Sequence, residues 1–210
     1  MNVLRALLDA MFPPRRSRDE ADRTTCEELG VFVAPSRVSL LGHDVVCLLP
    51  YREPLVRSLI VEAKFYEHTK AHAELGRVLA EYLLTLVEDA PFERCRYVLV
   101  PVPLSKKRYR ERGYNQVERV LREALKQLPD TFSLDTRLVR RVRDTPPQTK
   151  LGRAARLRNM DGAFALVGTL DGSCTYIVVD DVSTTGTTLA SVIDALHASS
   201  ASVRGVCLAH

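Results

Sequence analysis

Residues 177–189, IVVDDVSTTGTTL, constrain the fold more than any other stretch of the chain. A β-branched apolar run ends in two acids, passes through small hydroxyl residues and Gly186, and enters a helical pattern. Such a run reads as a strand buried on both faces, as in a parallel sheet covered by helices. Strand, tight loop and helix in that order make a βα unit, so the chain is expected to be α/β. The open N–H groups of such a helix, with the hydroxyls of Ser183, Thr184, Thr185, Thr187 and Thr188, suit a phosphate. Gly186 is expected to let backbone approach that group where a side chain would obstruct it. Asp180 and Asp181 would repel a phosphate, and vicinal ribose hydroxyls are their natural partner. The stretch has neither the lysine and spacing of a Walker loop nor a G-x-G-x-x-G fingerprint.

The rest of the chain supports one such domain. Residues 97–102, 162–167, 175–179 and 202–208 read as strands, and residues 114–127 and the segment after Gly186 as helices. Upstream, residues 55–63 and 70–87 carry helical apolar spacing, and Pro50 to Pro54 marks a turn. Residues 1–50 look like a small irregular appendage, apart from a short helical face at Leu4, Leu7, Leu8 and Met11. The expected organisation is an appendage over 1–50 and an α/β domain over 51–210.

Charge is unevenly placed. The net charge is +4. Yet residues 101–160 hold 16 Lys and Arg against 6 Asp and Glu, while the rest holds 14 against 20. The basic surplus sits in one central segment, which points to an anionic partner. Composition of 46% hydrophobic and 27% charged residues excludes a disordered tail or a fibre.

The chain has 5 Cys with no close spacing, which argues against a disulfide framework or a zinc ribbon. In the N-terminal region only Cys26 and Cys47 are present, and with His43 they fall short of a tetrahedral site. No structural metal is expected. His68 and His72, four apart, read as a surface pair at a helix start, and His197 and His210 are given no role. No apolar stretch is long enough to span a membrane, and the N-terminus lacks the shape of a secretory signal. A cytoplasmic protein is expected.

Residues 177–189 resemble the 5-phosphoribosyl-1-pyrophosphate (PRPP) signature of type I phosphoribosyltransferases. Residues 100–116, VPVPLSKKRYRERGYNQ, and residues 145–159, TPPQTKLGRAARLRN, followed by Gly162-Ala163-Phe164, are similar to hallmarks of the ComF/GntX family. The resemblance covers roughly residues 50–210, with the motifs in the family's order. It implies a type I phosphoribosyltransferase-like parallel sheet flanked by helices, with residues 54–87 as helical hood elements. The family's N-terminal zinc ribbon is missing here.

By that resemblance, Asp180 and Asp181 hold the ribose hydroxyls, and Ser183 to Thr188 wrap the 5′-phosphate. Leu104, Ser105, Lys106 and Lys107 contact pyrophosphate. Arg108, Arg110 and Arg112 line a basic groove, and Gln148, Lys150, Arg153, Arg156 and Arg158 belong to a flexible loop over the ligand. Mg²⁺ is implied, held mainly through PRPP. The function so implied is binding of PRPP or a ribose phosphate, with phosphoribosyl transfer to an unnamed acceptor left open. The alternative is a non-catalytic DNA-uptake (competence) or regulatory protein that binds single-stranded DNA through the basic groove, with a competence helicase as a partner. Tyr109 and Tyr114, interleaved with arginines, suit base stacking in that reading.

Overall fold

A computed structural model describes residues 19, 21–23, 26–88, 96–143, 162–183, 185–197 and 201–210. The elements in order are α1 (Cys26–Gly30), β1 (Ser36–Leu40), β2 (His43–Leu49), α2 (Pro54–Phe65), α3 (Thr69–Glu88), β3 (Arg96–Pro101), α4 (Lys106–Arg112) and α5 (Gln116–Leu125). They continue with β4 (Phe132–Leu134), β5 (Val139–Arg141), β6 (Phe164–Leu166), β7 (Cys174–Val182), α6 (Thr187–Leu196) and β8 (Ser202–Ala209).

Six strands form one sheet in the order β1-β2-β8-β7-β3-β4. Every pairing from β2 to β4 is parallel, and only the β1–β2 edge is antiparallel. The most apolar strand, β7, lies inside the sheet, as a strand buried on both faces must. Its side chains alternate: Ile177 and Val179 pack with Leu99, Leu59, Leu79 and Leu121. Tyr176 and Val178 pack on the other face with Leu189, Val192 and Ile193. So α2, α3 and α5 cover one face, while α6 and the β5–β6 ribbon cover the other. The α/β expectation is met.

One element differs from the sequence reading. Residues 36–49, read as irregular, form the β1–β2 hairpin, and β2 joins the sheet beside β8. Its turn places Leu41 and Gly42 both at positive φ, the geometry of a tight two-residue hairpin. Leu41 there hides the usual Asn-Gly signal. Within residues 54–87, Val56, Leu59, Ile60, Leu75, Val78 and Leu79 belong to the core that packs on the sheet. α3 meets α5 closely at Gly76, where a Cβ would stand 2.6 Å from that of Glu123.

His68 and His72 are buried, not a surface pair. His68 Nε2 lies 3.0 Å from Asp22 Oδ1, and His72 Nε2 lies 3.0 Å from the Ala63 carbonyl. Their positions tie α3 to α2 and to residues 21–23. Among the described residues no helix is long and apolar enough to cross a membrane. The short face at residues 4–11 lies outside the described residues.

Candidate functional site

The sheet order sets where ligands can enter. β3 leads through α4 and α5 to β4 on one side, and β7 leads through α6 to β8 on the other. Adjacent parallel strands whose connections diverge leave a crevice at their carboxyl ends, the place where open α/β sheets bind ligands. Both the 177–189 segment and the basic segment after Val102 meet at this crevice.

On the α6 side a pocket is lined by Asp180, Ser183, Thr185, Gly186, Thr187 and Thr188. The first turn of α6 has its N–H groups open, since its first hydrogen bond along the helix is Ala190 N–H to the Gly186 carbonyl, 2.8 Å. Thr185 and Thr187 join hydroxyls at 2.9 Å. Ser183 is 4% exposed, and its Oγ has no hydrogen-bond partner among the described residues. A buried hydroxyl without a partner is costly and calls for an explanation. Thr184 lies outside the described residues.

Gly186 has a further reason to be glycine, in the packing of the loop itself. Its φ is +71°, and a Cβ there would stand 2.5 Å from the Leu40 Cβ. The β1–β2 hairpin therefore presses on the back of the loop, and only glycine fits between them.

The two acids diverge. Both belong to β7, and successive strand residues face opposite sides. Asp180 faces the α6 pocket. Asp181 faces α2 and α5, where its Oδ2 accepts from Lys64 Nζ at 2.7 Å and from Gln116 Nε2 at 2.8 Å. Its Oδ1 accepts from the Val182 N–H at 2.7 Å. Burial acts to raise the Asp181 carboxyl, but the Lys64 ammonium and these hydrogen bonds outweigh it and hold it at about 2. Asp180 goes the other way: burial first, and then the Asp181 charge, push it up to about 7.

The basic segment folds into the short helix α4. Ser105 caps α4 by accepting from the Arg108 N–H at 3.2 Å, and Gly113 closes it in the left-handed region. Leu104 and Ser105 are half-buried at the end of β3, while Lys106, Lys107, Arg108 and Arg110 are exposed. Arg112 turns inward: its Nη1 donates to Gln116 Oε1 at 2.8 Å and its guanidinium lies 5.0 Å from the Phe65 ring. Tyr109 is 53% exposed on the same helix. Tyr114 is buried and donates to the Ala63 carbonyl, so it is a packing residue, not a stacking platform. Gln148, Lys150, Arg153, Arg156 and Arg158 lie outside the described residues.

No family model matches the chain. It is 30% identical over 183 residues to the DNA utilization protein YhgH of Escherichia coli strain K12, covering 83% of this chain and 78% of that protein. With Competence protein F of Haemophilus influenzae it shares 31% over 159 residues, 73% of this chain and 63% of that one. The chain belongs to the ComF family. The YhgH protein of Salmonella typhimurium matches at 31% over 153 residues, and the matched part spans 72% of this chain and 65% of the relative's length.

Within this ComF-family chain, sequence reasoning overlooked three residues of the site. Lys64 falls where the apolar spacing of α2 breaks off, Gln116 opens α5, and Leu40 ends β1. No local motif announces Lys64 or Leu40, and Gln116 closes the 100–116 stretch without any role suggested for it. The one usable signal for Lys64 is a cation placed directly after a run of buried positions, which needs an acid nearby.

Proposed function

We propose that the α6 loop is a cradle for the 5′-phosphate of a phosphorylated ribose, with PRPP the candidate ligand, in a protein that serves DNA utilization. The observation that carries the cradle is the buried, unpartnered Ser183 hydroxyl beside the open N-terminus of α6. Oriented N–H groups and a helix dipole attract a phosphate there. Asp180, on the same side, is placed to accept from a sugar hydroxyl. Mg²⁺ fits the site as an ion carried by the ligand, because Asp180 offers a hard carboxylate oxygen and the ion would offset diphosphate charge. Phosphoribosyl transfer, if the cradle serves it, asks the chain for positioning and charge stabilisation, not a nucleophile.

Calorimetry with ribose 5-phosphate on the wild type and on Ser183→Ala tests the cradle. The variant is expected to bind about tenfold more weakly, the cost of one hydrogen bond to a charged group. The same change is expected to stabilise the free protein by about 1 kcal/mol, since it removes an unsatisfied buried hydroxyl. Absence of wild-type binding, or equal binding by both, would overturn the cradle.

The second reading, single-stranded DNA on α4, is favoured by the relatives' names, DNA utilization protein and Competence protein F. Those names support a DNA role more than they support transfer. α4 presents Lys106, Lys107, Arg108 and Arg110 to solvent with Tyr109 among them, the combination that holds a strand by phosphate contacts and stacking. Replacing the four cations by Gln is expected to cut oligonucleotide affinity more than tenfold at low salt and to flatten its salt dependence. Unchanged affinity in an anisotropy titration would remove α4 from the account.

A further inference from the structure

We propose that Lys64, with Arg112 behind it, determines ligand specificity at this crevice: it exchanges its partner Asp181 for a second anionic group on a ribose 5-phosphate. The inference rests on the cradle reading and goes beyond it, because it concerns the opposite face of the sheet.

Four side chains form a bonded chain on that face. Arg112 donates to Gln116, Gln116 donates to Asp181, and Lys64 donates to the same Asp181 oxygen. All four stand at the carboxyl ends of β3 and β7. Asp181 is the next-to-last residue of β7, and Asn115, next to Gln116, donates to the Val102 carbonyl just beyond β3. The bonded chain carries two cations and one carboxylate, and the charges of Asp180 and Glu111 also act on these cations. Burial pulls the Arg112 guanidinium down, and the Asp181 carboxylate pulls it up.

Lys64 is built to move where Asp181 is not. The Asp181 side chain is 9% exposed and keeps two other donors, Gln116 and the Val182 N–H, if Lys64 leaves. The Lys64 side chain is 23% exposed, at the last turn of α2, on a stem of four carbons. It can therefore swing toward a stronger anion without stranding the buried carboxylate. The exposed α4 lysines are poorer candidates for that contact, because charges in open solvent are screened and gain little from pairing.

A ligand whose only phosphate lies in the α6 cradle leaves Lys64 on Asp181. A ligand with a diphosphate at C1 of the ribose brings charge across the end of β7 and recruits it. Discrimination between the two is thus assigned to Lys64, outside every motif that marks this chain.

Calorimetric titrations of ribose 5-phosphate and of PRPP, in the same Mg²⁺ buffer, test this on the wild type, Lys64→Gln, Lys64→Arg and Arg112→Gln. Lys64→Gln keeps a donor for Asp181 but no charge. It is expected to weaken PRPP about tenfold and to change ribose 5-phosphate less than about twofold. Lys64→Arg is expected to recover most of the loss. Arg112→Gln, which leaves the Lys64–Asp181 bridge intact and stands in if Lys64→Gln does not fold, is expected to weaken PRPP alone by a few-fold. Equal losses for both ligands, or none, would overturn the role of Lys64 while leaving the cradle standing. A wild type that binds neither ligand would overturn the cradle and this inference with it.

Discussion

Asp180→Asn is expected to make the free protein more stable at pH 8, by about 1–2 kcal/mol, while abolishing its preference for a ribose-bearing ligand. The reason is the repulsion built into β7. Asp180 is pushed up to about 7 from 3.8 by burial and by the neighbouring Asp181. A carboxyl that binds its proton more tightly when folded supports the fold fully below its unfolded value and loses that support as pH rises through about 7. Above pH 7 the wild type keeps two adjacent carboxylates ionised, and Asn removes one. The full linkage is larger, but Asp180 faces an open pocket, so solvent screening trims it.

Asp181 behaves oppositely. Its depressed value of about 2 adds stability above 3.8 that disappears as pH falls through about 2. Chemical denaturation at pH 5 and pH 8 separates the two. The wild-type loss between these pH values should be largely absent in Asp180→Asn. An equal loss in both proteins, or a variant less stable at pH 8, would contradict the opposed acids. Such strain persists at a site only when something other than stability retains it.

Gly186→Ala is expected to destabilise the protein by about 2–4 kcal/mol, the sum of left-handed backbone cost and overpacking. The backbone part follows from φ +71°, and the packing part from the 2.5 Å approach to the Leu40 Cβ. The second part is relievable. Leu40→Gly removes that Cβ together with the branch atoms at 2.7 and 2.8 Å, so the double variant should lose less than the sum of the singles. Strict additivity in a denaturant double-mutant cycle would show that the hairpin does not support the loop. The effect matters for function because β1 and β2 then form part of the cradle's scaffold, although they precede it by more than a hundred residues.

That hairpin shows where the sequence was silent. β7 was legible because its run from Tyr176 to Val179, buried on both faces, is apolar up to the acids. The helices at 54–65 and 69–88 were legible from their apolar spacing. β1 and β2 were not, since the SRVSL and HDVVCLL strands are short and Leu41 replaces the usual turn residue. At the site, the loop and Asp180 were readable as a pattern, but the divergence of Asp180 and Asp181 was not. It follows from the strand continuing to Val182, which a reading that ended β7 at residue 179 could not use. Lys64 reaches Asp181 across 117 positions, and no periodicity reports a contact of that separation. The basic surplus likewise divides only in three dimensions: Arg112 turns into the crevice, while its neighbours on α4 face solvent.

The central claim, a phosphate cradle at the N-terminus of α6, is tested most directly by a crystal structure of the protein soaked with ribose 5-phosphate. The account predicts the 5′-phosphate on the N–H groups of Thr187 and Thr188, with the Ser183 hydroxyl in hydrogen-bond contact and a sugar hydroxyl at Asp180. A phosphate bound instead to the lysines of α4, with the first turn of α6 unengaged, would contradict it.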